Sequence, residues 1–173
     1  SNLEAKDSHS AQALRFLILT ACRTSEVLNA EWDEIDLANK AWTIPANRMK
    51  AGTEHRIPLT DKMIEILEAL PMLNHYVFPG IRHNRPLSNM AMLTMMRKMG
   101  YSKDGHLPAY VPHGFRSSFR DWCEEQSSAP HGVIERALAH TIPNATERAY
   151  NRGDLFDKRR SLMEAWGGFV LSA

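Results

Sequence analysis

The chain has 173 residues, the size of one domain, and its 43% hydrophobic and 24% charged residues make a globular mix that excludes a disordered chain. Gln12, Arg15 and Thr20 interrupt the longest apolar patch, so no run of about 18 apolar residues predicts a membrane span, and the first residues do not read as a signal peptide. The net charge of +1 hides a split: residues 71–120 carry 7 basic side chains against Asp104 alone, while the flanking segments are net acidic, so an anionic partner, nucleic acid first, is expected on one face.

Residues 10–21 (SAQALRFLILTA) are apolar nearly all round and predict a buried helix; a second helix follows from about Thr24 with Val27 and Leu28. Alternation then takes over. Trp32 to Leu37 and Lys40 to Pro45 predict a hairpin linked by Ala38-Asn39, and Glu54 to Leu59 predicts a third strand after a polar turn, Arg48 to Thr53. Helices are predicted from Thr60 or Asp61 to Leu70 and from Ser88 to Met99, the latter with a methionine cluster that reads as adaptable core packing. After a loop over 100–112, Pro112 opens a helix to about Gln126, and Val133 to His140 forms a shorter one. Asn144 to Glu147 has capping-box spacing and starts a short helix through Tyr150. Asp154 caps a last helix with Leu155, Leu162, Met163, Trp166 and Phe169 on one side, which Gly167-Gly168 is expected to end or fray. Cys22 and Cys123 are too few for a disulfide scaffold or a thiolate zinc site and read as buried thiols.

The helix after Pro112 carries two faces. Phe115, Phe119, Trp122 and Cys123 define a core face; His113, Arg116 and Arg120 fall together on another. That second face is either a solvated surface, the ordinary reading for Arg120, or an anion clamp, since the guanidinium fork suits phosphate oxygens. Arg23 ends a buried helix and needs a partner, which Glu26 can supply as a structural ion pair or to hold Arg23 for an anion. Lys50 at a hairpin tip, His140 at a helix end and Tyr150 between Arg148 and Arg152 are each ambiguous alone.

Together, Arg23 with Glu26, Lys50 between two strands, His113-Gly114-Phe115-Arg116, His140 and Tyr150 match the ordered signature of the tyrosine recombinases, the phage-type integrases. The chain resembles that family over roughly its whole length. Arg136 to His140, Tyr150 and the Trp166 helix are most similar to integrases of prophages and genomic islands. There are departures. Many members have glycine where this chain has Ala21 or Cys22, and Leu-Gly-His where it has Leu138-Ala139-His140. Members also carry an N-terminal core-binding domain, often after an arm-binding domain, and neither fits before Ala11. Residues 1–173 are therefore expected to form a single catalytic domain without those two.

The resemblance implies an α+β fold, mostly helical, with a three-stranded antiparallel sheet near the N-terminus. It implies site-specific integration and excision of a mobile element, by DNA cleavage and rejoining through a 3′-phosphotyrosyl intermediate. Tyr150 would be the nucleophile, Arg23 and Arg116 would hold the non-bridging oxygens, and Lys50 would protonate the departing 5′ oxygen. His113 and His140 would bond the phosphate and assist proton movement, and Glu26 would orient Arg23. No metal and no cofactor are implied. Implied partners are double-stranded DNA, further copies on DNA (a tetramer in the full-length family) and accessory bending or directionality factors, in the bacterial cytosol at the nucleoid. The competing readings are a non-catalytic DNA-binding relative, a metal-dependent nuclease suggested by the 8 histidines and the basic face, and a type IB topoisomerase.

Overall fold

The computed structural model describes residues 8–101, 110–140 and 153–172; the predicted helix from Asn144 to Tyr150 lies outside the described residues. α1 (His9–Thr20) starts on Ser8, whose hydroxyl accepts from the Ala11 N–H at 3.3 Å. It is buried on nearly every side, as its composition predicts, and becomes the axis of the domain. α2 (Thr24–Leu28), α3 (Asp61–Glu68), α4 (Ala91–Lys98) and α5 (Gly114–Gln126) pack on it. α6 (His131–Ala137) leans on α7 (Phe156–Ser172), which also lies across α1. No helix among the described residues is long and apolar enough to cross a membrane.

The expected sheet is present: β1 (Ile35–Asp36), β2 (Ala41–Ile44) and β3 (His55–Pro58), antiparallel in that order, with Trp42 opposite Ile35 and Ile57. β1 is shorter than predicted. Trp32–Glu34 closes into a 3-10 turn instead, and that turn draws Glu34 inward to accept from the Trp42 indole N–H at 2.9 Å. The methionine cluster divides: Met92 and Met96 of α4 fill the core, while Met90, just before the helix, is exposed.

Aromatic rings join the layers. Phe16 lies 5.4 Å from Trp42 and 5.6 Å from Phe78, and Trp166 meets both Phe119 and Trp122 at 5.4 Å. The Trp166 indole N–H donates to the Ile18 carbonyl at 2.8 Å and fastens α7 to α1. The expected stop at Gly167-Gly168 does not occur, since α7 runs on to Ser172. Phe169 stacks on Trp166 at 5.8 Å, and Gly167 is buried against Leu19. This packing outweighs the roughly 1 kcal/mol that each helical glycine costs.

Among the described residues, two non-glycine residues that follow the C-terminal end of a helix adopt left-handed backbone: Ala21, the C-cap of α1, at φ 52°, and Ala139, just past α6, at φ 48°. Ala139 stands where the resembled family often has glycine, and Ala21 is one of the two positions, with Cys22, where it often does. Ala21→Gly and Ala139→Gly should therefore each raise the unfolding free energy, by about 1 kcal/mol, by relieving the Cβ clash of that conformation. Urea denaturation midpoints of the two variants check this; a midpoint that fell would show that neither turn is strained.

Candidate active site

Arg23 caps α2, and its position follows from three residues of sequence. Glu26, buried in the first turn, accepts from the Arg23 backbone N–H at 2.8 Å and from its guanidinium at 2.7 Å. Each carboxylate oxygen thus fixes one part of Arg23, which keeps a quarter of its side chain exposed. Arg116 rises from the first turn of α5 and is buried. Its guanidinium donates to the Ala21 carbonyl at 2.9 Å and to the Leu138 carbonyl, the C-caps of α1 and α6. Burial, then the neighbouring Arg23 cation, lowers its pKa from the ordinary arginine value.

Of the face that carries His113, Arg116 and Arg120, Arg116 is buried while the other two are exposed. Arg120 is exposed and pairs with Glu124 at 3.0 Å, the solvated role that was its ordinary reading. His113 is exposed and precedes the helix, where it lines a cavity with Arg23, Leu87 and Asn89. His140 is held from behind: Glu135 takes its Nδ1 at 2.9 Å and its backbone N–H at 2.9 Å, which leaves Nε2 for another partner. Lys50 is exposed on the β2–β3 turn and makes no ion pair among the described residues, while its neighbours Met49 and Ala51 line a second cavity of about 450 Å³ with His140. Tyr150 lies outside the described residues.

Three residues the sequence reading passed over belong to this region. Arg48 reaches from the 3-10 turn after β2 (Ala46–Arg48) to the Glu34 carboxylate and, at 2.9 Å, to the Glu26 carbonyl. It thereby ties the root of the Lys50 turn to α2. Arg159, buried in α7, donates to the Asp154 carbonyl at 2.7 Å, contacts the Asp154 carboxylate at 3.3 Å and bonds the Arg56 carbonyl. Its spacing from Leu155, Leu162, Met163 and Trp166 already placed it on the apolar face. His55 is buried on β3 beside the Ala137 carbonyl and lines the His140 cavity. Alternation with Ile57 and Leu59 could have found it. Burial first, then the charges of Arg159, Arg116 and Arg23, push its pKa from 6.5 to about 3, so this imidazole is neutral among three guanidiniums.

The arrangement can hold a tetrahedral or trigonal-bipyramidal oxyanion. Arg23 and Arg116 are fixed before any substrate arrives, so their donors stabilise charge without reorganising. Among the described residues no group of His, Cys, Asp and Glu is placed to hold a metal ion. Cys22, next to Arg23, is a buried thiol pushed up to about 12 by burial and is inert as a nucleophile.

Residues 1–155 match the phage integrase family. The chain is 36% identical over 160 residues to the prophage integrase IntA of Escherichia coli (strain K12), covering 90% of this chain and 37% of that protein. It is 31% identical over 165 residues to the integrase of Shigella phage Sf6, covering 91% of this chain and 41% of that protein. It therefore spans about two-fifths of the length of these relatives. Among solved structures it shares its fold with a lambda integrase dimer bound to a COC′ core site, at a TM-score of 0.59 and 20% identity over 87% of this chain and 44% of that one. XerA recombinase matches at 0.59 and 15% identity, over 87% of this chain and 58% of that one.

His55 gives the site an acid limit. Between about pH 6.5 and pH 3 the unfolded chain binds a proton at this residue that the folded chain refuses, so stability falls as pH falls through that window. The loss due to His55 should reach about 2 kcal/mol by roughly pH 5. Urea midpoints at neutral and mildly acid pH measure it. His55→Gln, which keeps a donor for Ala137, should flatten the profile; an unchanged slope would remove His55 as its source.

Proposed function

Because the chain belongs to the phage integrase family, we propose that it cleaves and rejoins double-stranded DNA through a 3′-phosphotyrosyl link at Tyr150, in site-specific integration and excision of a mobile element. The observation that carries this reading is the pair Arg23 and Arg116, each locked by its own partners, while His140 and the neighbours of Lys50 line a second cavity. The two arginines bind the non-bridging oxygens of the scissile phosphate and offset the charge that builds up there. His113 and His140 hydrogen-bond the same group, Lys50 protonates the leaving 5′ oxygen, and Glu26 orients Arg23. A phenol with a pKa of about 10 is protonated at neutral pH, so the attacking oxygen needs this cationic surrounding. The energy of the broken bond is kept in the protein–DNA link, and rejoining needs no nucleotide.

Residues 1–173 act as the catalytic domain. Partners in this reading are duplex DNA, further copies assembled on it up to a tetramer, and accessory bending or directionality factors, at the nucleoid of a bacterial cytosol. The DNA-bound dimer of the lambda integrase neighbour supports duplex DNA as the substrate.

Incubation with a nicked suicide duplex tests the nucleophile. A covalent adduct should form, survive EDTA and map to Tyr150. Tyr150→Phe should abolish it, and an adduct that persists in this variant or disappears on chelation would falsify the mechanism.

Lys50 has its own test. Lys50→Ala should lose on the order of 10²–10³ in cleavage rate on ordinary DNA. Most of that loss should be recovered when sulfur replaces the bridging 5′ oxygen, because a thiolate leaves without a proton. Arg116→Ala should not be recovered, since its partners are the non-bridging oxygens. Equal defects of Lys50→Ala on both substrates would remove it from the general-acid role.

A further inference from the structure

The loop between Pro79 and Pro86 is a closed, outward-facing finger. Pro79 and Pro86 pair as an isolated bridge, the Gly80 N–H donates to the Arg85 carbonyl at 2.8 Å, and the Leu87 N–H donates to the Phe78 carbonyl at 3.0 Å. A Cβ on Gly80 would stand 2.4 Å from the Pro86 oxygen, so only glycine lets the two arms approach this closely. Asn84, at φ 50°, turns the chain at the tip. The base is anchored by Val77 and Phe78, both fully buried.

What this scaffold presents is unusual for the molecule. Ile81 has 106% of its reference area in water, so nothing covers it. Arg82 follows it directly and Arg85 stands four residues on, and both are exposed without a side-chain partner among the described residues. By contrast, Arg23, Arg48, Arg56, Arg120 and Arg159 each hold a carboxylate. No Asp or Glu occurs from residue 71 to 101. The finger also stands beside the site: Leu87 and Asn89, directly after it, line the cavity that holds Arg23 and His113.

We infer that loop 80–85 is a second DNA-binding element, in which Arg82 and Arg85 hold backbone phosphates flanking the scissile one and Ile81 lies in the adjoining groove. Its charge excludes cationic partners and suits a polyanion. A duplex seated on Arg23 continues past the cavity edge with one charge per roughly 1.7 Å of its axis, so phosphates pass within reach of the finger. An aliphatic side chain among arginines fits a groove contact, where apolar residues meet sugars and base steps. The inference rests on duplex DNA being the substrate.

Binding of a fluorescein-labelled duplex over a potassium chloride series tests it. Arg82→Gln and Arg85→Gln should each weaken binding and make the slope of log K against log salt shallower by about 0.9. Ile81→Ala should weaken binding with the slope unaltered. Unchanged affinity and slope in both arginine variants overturns the inference. So does lost self-association with unaltered DNA affinity, which would assign the finger to a second copy of the chain. The suicide-substrate assay on the unaltered chain separates the two readings: an adduct with unchanged slopes fails the finger alone, and shallower slopes without an adduct fail the chemistry alone.

Discussion

The guanidinium of Arg116 is the joint on which the site depends. A charge taken out of water costs several kcal/mol unless it is bonded on the inside. Here the partners are the carbonyls of Ala21 and Leu138, the buried C-terminal ends of two helices whose dipoles place negative charge at those points. The left-handed turns at Ala21 and Ala139 belong to the same joint, because each ends a helix beside one of these carbonyls. Arg23 lies two residues after Ala21, and His140 two residues after Leu138. One buried side chain therefore sets the places of two loops from distant parts of the chain, each carrying a site residue.

A second network holds the sheet to that joint. The Trp42 indole bonds Glu34, Glu34 pairs with Arg48, Arg48 bonds the Glu26 carbonyl, and the Glu26 side chain holds Arg23. Glu26 and Glu34 are buried, so each bond is strengthened by a low local dielectric and is costly to leave unmade. Lys40 with Asp61 and Lys62 with Glu65 are solvent-screened pairs that contribute little. The Lys50 turn is long and exposed at its tip but rigid at its root, which lets a lysine reach while its base stays in register.

The wall formed by β3, α6 and α7 manages charge. Arg159 brings a third guanidinium close, neutralised in part by Asp154 and shared with the Arg56 carbonyl. His55 lines the same cavity as Arg159 as a neutral imidazole. An acidic residue there would cancel the positive field that an incoming phosphate needs, and a lysine would add repulsion. A histidine held uncharged does neither, and its cost is sensitivity to acid.

Much of this protein was legible in its residues alone. The buried α1, the hairpin and third strand, the core face of α5 and the Arg23–Glu26 pair all rest on contacts within a few residues or on one periodicity, and these are local properties. The ordered set from Arg23 to Tyr150 carried the resemblance to the family, because the order and spacing of residue types can be read without the fold. Tertiary structure alone separated Arg116 from Arg120, which share a helical face. One is buried because carbonyls 95 and 22 residues away close over it; the other is exposed and meets Glu124 and, at 3.8 Å, Glu135. It also carried α7 through Gly167-Gly168, shortened β1 to free Glu34 for Trp42, and surrounded His55 with arginines from α2, α5 and α7. Periodicity says which way a side chain points. What it meets there is decided by segments far along the chain, because burial and the dielectric it creates are properties of the packed whole.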